Sequence, residues 1–436
     1  MWRSDNSPKQ CRLASVLHDT LSPKARDISL FHIQRDSGLE DATGRRFGVR
    51  RMVTETVSSD SKSLNFDPSR LRSYLSFHRP RKDVPAREVD VFLGRIINRD
   101  FRLLRVLDLE GVNKPTLPKK LGHLRLLRYL GLRRTYLDSL PESVGDLSYL
   151  ETLDVKHTCI DSLPNSIWKL KQLRHLNLNN IRLAMPPSSS LTLLTLWGMF
   201  IDEKVKAIEG LEKLRDLREL DIKFDLSTSQ GALLDWVAKL VHLQSLRLTS
   251  VNDMGRPSEL VLKSLVRLDK LSHLRLYGNL QRLPDVKEFP PTIKVLTLSV
   301  SQLSMDPMGT LERLPDLIVL RLLASFTGER MVCRRGGFKK LEVLKVWNLM
   351  ELEEWDVEEE AMESLKDLDI RCCHKLKNIP CRLLQKQRCL DELILKGMPD
   401  EFVAQTKRKK SKDTSLTITP LNDKVNCDEE NDLMAA

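Results

Sequence analysis

The apolar residues of this chain follow neither a plain helical nor a plain alternating period. They recur as a unit, Leu-x-x-Leu-x-Leu, along most of the sequence. The clearest copies are Leu104-Leu107-Leu109, Leu127-Leu130-Leu132, Leu150-Leu153-Val155 and Leu173-Leu176-Leu178, whose first residues advance in steps of 23. Looser copies open at Leu191, Leu217, Leu243, Leu271, Ile293, Leu317, Leu341, Leu365 and Leu390, which makes thirteen. The fourth and sixth positions are two apart, so they point to one side of a short strand. A single copy cannot bury that side by itself, but a stack of copies can. The pattern predicts thirteen short strands stacked in parallel, with the leucines lining one interior.

The second half of the unit repeats as well. Leu117-Pro118, Leu140-Pro141, Leu163-Pro164, Leu283-Pro284 and Ile379-Pro380 each follow a strand at a similar offset. Proline lacks a backbone donor and breaks helix interiors, so these segments suit an irregular return and argue against a helical array. The expected class is an α/β solenoid, a leucine-rich-repeat horseshoe with a parallel β-sheet on its concave face. The core is expected over 104–400. Val49-x-x-Met52 and Leu71-x-x-Tyr74 read as degenerate first coils that cap it over 49–103. Residues 1–48 read as poorly ordered and 401–436 as a disordered charged tail. That tail holds a basic cluster, Lys407 to Lys412, which reads as a solvated charge run or a nuclear-import address, and an acidic end, Asp428 to Asp432.

Composition narrows the setting. The chain is 41% hydrophobic but only 5% aromatic, with a formal charge of +11, which favours acidic partners or surfaces. The first residues lack the apolar stretch of a secretory signal. No apolar run approaches the ~20 residues of a membrane span. The eight cysteines show no framework, and no Asn-x-Ser/Thr acceptor occurs. Reduced thiols in the cytoplasm or nucleus are the expectation.

Several stretches resemble plant intracellular immune receptors, the coiled-coil nucleotide-binding leucine-rich-repeat class of disease-resistance proteins. Phe101 to Gly111 resembles the family's first strong repeat. Asp306-Pro307-Met308 with Leu311-Glu312-x-Leu314-Pro315, Met331-Val332-Cys333-x-x-Gly336-Gly337-Phe338, and Glu354-Trp355-x-Val357-Glu358 with Ala361-Met362 are similar to its later repeats. Leu17-His18-Asp19 resembles the Met-His-Asp motif that ends the family's nucleotide-binding module. The resemblance implies that 1–48 is a remnant of that module, and that the chain lacks the coiled coil and nearly all of the nucleotide-binding domain. No Gly-Lys pair exists to cradle a phosphate, so no ATP, ADP or other cofactor is expected.

The implied function is protein–protein recognition in defence: sensing of a pathogen effector or host protein and, in a full receptor, restraint of a nucleotide switch. The alternatives are a leucine-rich-repeat adaptor of another class, such as a ubiquitin-ligase substrate receptor, and a non-functional receptor fragment. No catalytic constellation is present: neither His-Glu-x-x-His nor Gly-x-Ser-x-Gly occurs, and no enzyme is expected. Cys372-Cys373-His374, Cys381 and Cys389 could suggest zinc, but Cys373 occupies a ninth position, where a buried structural cysteine is the expectation.

Positions three, five and seven of each copy point away from the core. Position five runs Asp108, Gly131, Asp154, Asn177, Thr195 and Asp221, then Arg247, Arg275, Thr297, Arg321 and Lys345, then Asp369 and Ile394. Position seven adds Trp197, Tyr277 and Trp347. Arginines beside aromatic residues have the composition of interface hot spots. The partner-binding candidates are therefore Trp197, Arg247, Arg275, Tyr277, Arg321, Lys345 and Trp347, facing an acidic protein. Flanking carboxylates disfavour nucleic acid.

Overall fold

The computed structural model describes residues 32–34, 51–54, 70–76, 93–94, 103–183, 192–202, 211–225, 229–384, 390–409 and 415–419. Leu17-His18-Asp19 and the acidic end lie outside them. The chain forms two compact units, Met1–Phe200 with Val205–Leu214, and Ile201–Lys204 with Arg215–Ala436.

The first unit carries β1 (His32–Gln34), β2 (Arg51–Thr54), β3 (Ser73–Ser76), β4 (Val106–Asp108), β5 (Tyr129–Gly131), β6 (Thr152–Asp154), β7 (His175–Arg182) and β8 (Thr195–Ile201). Each pairs in parallel with the next. The second unit carries β9 (Glu219–Asp225), β10 (Ser245–Val251), β11 (His273–Tyr277), β12 (Val295–Ser299), β13 (Val319–Leu323), β15 (Val343–Trp347), β17 (Asp367–Arg371), β18 (Glu392–Lys396) and β19 (Ser415–Thr419), again one parallel ladder. β14 (Arg330–Cys333) and β16 (Glu354–Val357) form a separate two-stranded sheet. Fourth-position residues align across each ladder, as Leu296, Leu320 and Leu344 do, and all three are buried. The stacked aliphatic interior of a leucine-rich-repeat solenoid is thus present in each unit.

Besides the small sheet, two strands of the ladders were not expected. β1 lies in the stretch read as poorly ordered, and β19 in the stretch read as a disordered tail. There, helix α1 (Asp400–Lys409) buries Phe402 and Thr406, and β19 pairs with β18. Leu416 and Ile418 supply the fourth and sixth positions of one more coil, a signal too short to outweigh the flanking charge in the sequence.

The returns are built on the prolines. In the first unit the carbonyls of Pro118, Pro141 and Pro164 accept from the amides of Leu121, Val144 and Ile167 at 3.0 Å, each opening a tight 3-10 turn. Turns of adjacent coils touch directly: the Ser166 hydroxyl donates to the Glu142 carbonyl at 2.7 Å.

A residue with left-handed backbone stands seven after the first buried leucine in ten of the thirteen copies. Glycine holds three of these places, at Gly111, Gly278 and Gly397, and asparagine two, at Asn180 and Asn348. Val300, with φ of 51°, is the misfit, because a β-branched side chain is strained in this region. Val300→Asn should raise stability by about 0.5–1 kcal/mol, since asparagine tolerates the conformation. An upward shift of the urea midpoint checks this, and a fall would show that Val300 packing outweighs its strain.

The three later stretches that carry the family resemblance cluster on the return side. Asp306 accepts from the amides of Met308 at 2.9 Å and Val332 at 2.8 Å, so it both closes a turn and satisfies an edge amide of β14. Burial outweighs those bonds and pushes its carboxyl up. Met331, Cys333, Trp355 and Val357 are buried beneath the small sheet. The acidic run Glu351–Glu360 sits between two basic coils, where Glu353 pairs with Lys377 at 2.9 Å, Asp356 with Arg330 at 2.8 Å and Glu360 with Arg335 at 2.8 Å. It is a cross-coil ion-pair strip anchored by Trp355.

Candidate functional site

The face of the second ladder opposite the core is paved by positions three, five and seven. Strand register brings six of the seven candidates together there. Asp221, Arg247, Arg275, Thr297, Arg321, Lys345 and Asp369 stand side by side on successive strands. Tyr277 and Trp347 lie two residues beyond Arg275 and Lys345 on the same strands, so on the same face. At position three, Val295, Val319 and Val343 form a packed aliphatic stripe with Ile318 against them.

Trp197 belongs to the first unit, and its place in the repeat differs from the expectation. Leu196 pairs with Leu176, and Trp197 with Asn177. The copy therefore opens at Leu193, not Leu191, and Trp197 holds position five rather than seven. Its register shifts between Asn177 and Ile181, because this coil is shorter than its neighbour. Leu191-Leu194-Leu196 imitates the repeat, yet Leu193 is the buried residue and Leu194 is only half-buried. Lys156 lies over the Trp197 ring at 4.5 Å.

The arginines are not the exposed hot spots that the column suggests. Arg247 is 7% exposed and Arg321 4%. Arg247 Nε lies 3.9 Å from Asp221 Oδ1, and Arg321 Nη1 donates to Thr297 Oγ1 at 3.4 Å. Side chains on neighbouring strands are about 5 Å apart, and long ones cover each other. Arg275, Tyr277, Lys345 and Trp347 are half-buried.

Two residues outside the candidates organise the site's far end. The Arg371 guanidinium grips Asp369 with both arms, Nε to Oδ1 at 2.8 Å and Nη2 to Oδ2 at 2.9 Å. It also stacks over Trp347 at 4.0 Å, while Lys345 approaches the same ring at 5.4 Å and Asp369 at 3.9 Å. Asp369 thereby holds the two cations against one aromatic ring, a pre-organised anchor. Arg371 was legible as the seventh-position neighbour of Trp347, but only its bidentate bond shows the role. Burial lowers the Lys345 ammonium below the ordinary lysine range, with Asp369 opposing and Arg321 and Arg371 adding to the fall. Lys223, on the same face, is lowered by burial and by Arg247.

In the first unit, position five carries the other sign. Asp108 and Asp154 flank Gly131, whose missing side chain leaves room for the Asp108 carboxylate and the Tyr129 ring. Burial, Glu110 and Asp154 raise the Asp108 carboxyl.

The cysteines fall into two kinds. Cys373 is buried, its thiol donates to the carbonyls of Val346 at 3.6 Å and Arg371 at 3.4 Å, and burial pushes it up to about 12. It packs as a structural residue. Cys372 is disulfide-bonded, while Cys159, Cys333, Cys373 and Cys381 are free. That corrects the expectation of uniformly reduced thiols, because spacing alone does not show which sulfurs meet. Among the described residues no helix is long and apolar enough to cross a membrane.

Comparison with known proteins places these features. The family model described as a leucine-rich repeat region matches residues 87–395. The probable disease resistance protein RF9 of Arabidopsis thaliana is 38% identical over 176 residues, 40% of this chain and 16% of that protein. The disease resistance protein RPP8 of the same plant is 32% identical over 232 residues, 46% of this chain and 24% of that protein. This chain therefore spans less than a quarter of the length of these relatives. Among solved structures, a leucine-rich-repeat protein of Leptospira interrogans aligns over 84% of this chain and 89% of its own, at 18% identity and a TM-score of 0.45. With thirteen copies of the repeat, two parallel ladders and a match across most of its length, the chain belongs to the leucine-rich repeat region family, and its relatives by sequence are plant disease-resistance proteins.

Proposed function

We propose that this chain is a protein-recognition module of plant defence, which binds an acidic protein partner on the strand face of its second unit. The observation that carries this reading is the in-register column from Arg247 to Lys345, four cations beside Tyr277 and Trp347. An extended array of that kind matches a protein surface better than a small ligand, which needs an enclosed pocket. The partner is a pathogen effector or a host protein. In a full receptor the module restrains or releases a nucleotide switch, and the carboxylates of the first unit's face meet the nucleotide-binding module. No catalytic step is assigned to the chain.

The test uses a fluorescent heptaglutamate peptide and the full chain. Arg275→Glu with Arg321→Glu should weaken binding at least tenfold, and added salt should weaken it further by screening. Since Arg321 is buried, Arg275→Glu alone serves as the variant that keeps the fold, checked by circular dichroism, and should weaken binding several-fold. Binding untouched by either change rejects the site.

A further inference from the structure

The strand-entry rim of the first unit carries a second charge pattern. It is set by the residue just after the first leucine of each coil. On five successive coils these are Arg72, Arg105, Arg128, Glu151 and Arg174, and the four arginines are exposed. Each backbone amide donates to the carbonyl of the residue one coil back, at 2.7–2.9 Å, so the five stand in one row. Successive coils are about 4.8 Å apart. Among the described residues only Arg128 of these arginines is ion-paired, to Glu151 at 2.8 Å. The same position in the second unit is mixed: Lys294, Ile318, Glu342 and Lys366 follow one another, and Lys366 pairs with Glu342 at 3.1 Å. The arginine row is therefore not a requirement of the repeat.

An apolar row runs beside it. The residue just before the first leucine is Leu103, Leu126 and Tyr149 on three successive coils. Leu103 is 40% exposed and Tyr149 52%, and Leu126 is half-buried. One residue further out, Arg125 and Lys171 are exposed. Cations thus border the apolar row on both sides. A nucleic-acid backbone would use the arginines and leave the leucines wet. Leucine is also uncommon among protein hot spots, whose anchors sit in pockets. An anionic lipid surface uses both rows, because apolar side chains enter the headgroup layer while the cations beside them meet the lipid charges.

We propose that this rim binds an anionic membrane surface peripherally. Arg72, Arg105, Arg128 and Arg174 meet the lipid phosphates and carboxylates. Leu103 and Leu126 enter the boundary between headgroups and acyl chains, and Tyr149 sits at headgroup level, where its ring is buried and its hydroxyl stays wet. No membrane-spanning segment is needed. The site is independent of the acidic-partner face in the second unit.

The test sediments the full chain with vesicles of phosphatidylcholine alone and with vesicles that are about one-third phosphatidylserine. The anionic vesicles should bind at least about tenfold tighter, and added salt should weaken that binding. Arg105→Glu with Arg174→Glu should lower it by about tenfold or more. Leu103→Ser with Tyr149→Ser should lower it several-fold and leave its salt dependence unchanged, since only apolar contact is lost. All four positions are exposed, so circular dichroism should report an intact fold for both variants. Equal binding to the two kinds of vesicle overturns the proposal, as does vesicle binding that the arginine pair leaves unchanged. Binding of heptaglutamate or duplex DNA that depends on Arg105 and Arg174, without binding to vesicles, also overturns it and makes the rim a protein or nucleic-acid site.

Discussion

Leu320→Asp should unfold the second unit, leaving no cooperative urea transition for it. Leu320 sits on β13, fully buried, with Leu296 and Leu344 in register on either side and Leu322 two residues on. Losing a buried leucine costs about 2–5 kcal/mol through lost transfer energy and the cavity left behind. A carboxylate in that aliphatic layer has no partner and adds a desolvation penalty of several kcal/mol. The sum approaches the roughly 5–15 kcal/mol that holds a whole domain folded. Because each coil is stabilised by its neighbours, damage to one layer spreads along the stack. Leu320→Ala should only lower the urea midpoint, by an amount matching about 2–5 kcal/mol. Circular dichroism and limited proteolysis report both outcomes. A normal transition in Leu320→Asp would mean that the fourth-position leucines do not form the core.

The second large effect is expected at Gly145, in the 3-10 turn Glu142–Asp146 of the first unit. A Cβ added there would stand 2.4 Å from the Ser166 carbonyl oxygen and 2.5 Å from the Ser166 Cβ. Neither atom can yield easily, because Ser166 lies in the next turn, Asn165–Lys169, and its hydroxyl is bonded back to Glu142. Gly145→Val should therefore force the two coils apart and cost about 3 kcal/mol, the upper range for overpacking. Gly309→Ala is the contrast: nothing lies within 4 Å of an added Cβ, and it should change stability little. If both variants unfold at the same urea concentration, close contact between turns is not what ties the first unit's coils together.

The repeat's frame was readable wherever the 23-residue step held. Leu104 to Leu178 kept both their spacing and their burial. The reading slipped at the Leu191 copy, where Leu191, Leu193, Leu194 and Leu196 allow two frames that differ by two residues. Hydrogen-bond register chooses between them, and register depends on the neighbouring strand. The left-handed closing residue was partly visible as glycine and asparagine, but Arg134, His157, Ala324 and Cys372 occupy the same conformation without announcing it. The candidate column was likewise readable as an order of charges. Its burial was not, nor was the stacking of Arg371 over Trp347, since both depend on where side chains from different coils meet.

A period of leucines with prolines on the return side was sufficient by itself for the class of fold and for most strand positions. Those properties follow from local geometry: alternate residues of a strand face opposite ways, and a buried layer must be aliphatic. The tertiary structure alone decided which arginines are covered, which cations share a ring, how the short coil at Leu193 pairs, and that β1 and β19 join the ladders. Apart from Lys345 over Trp347, each of these joins residues some twenty or more positions apart, set by packing and register that no single copy of the repeat encodes.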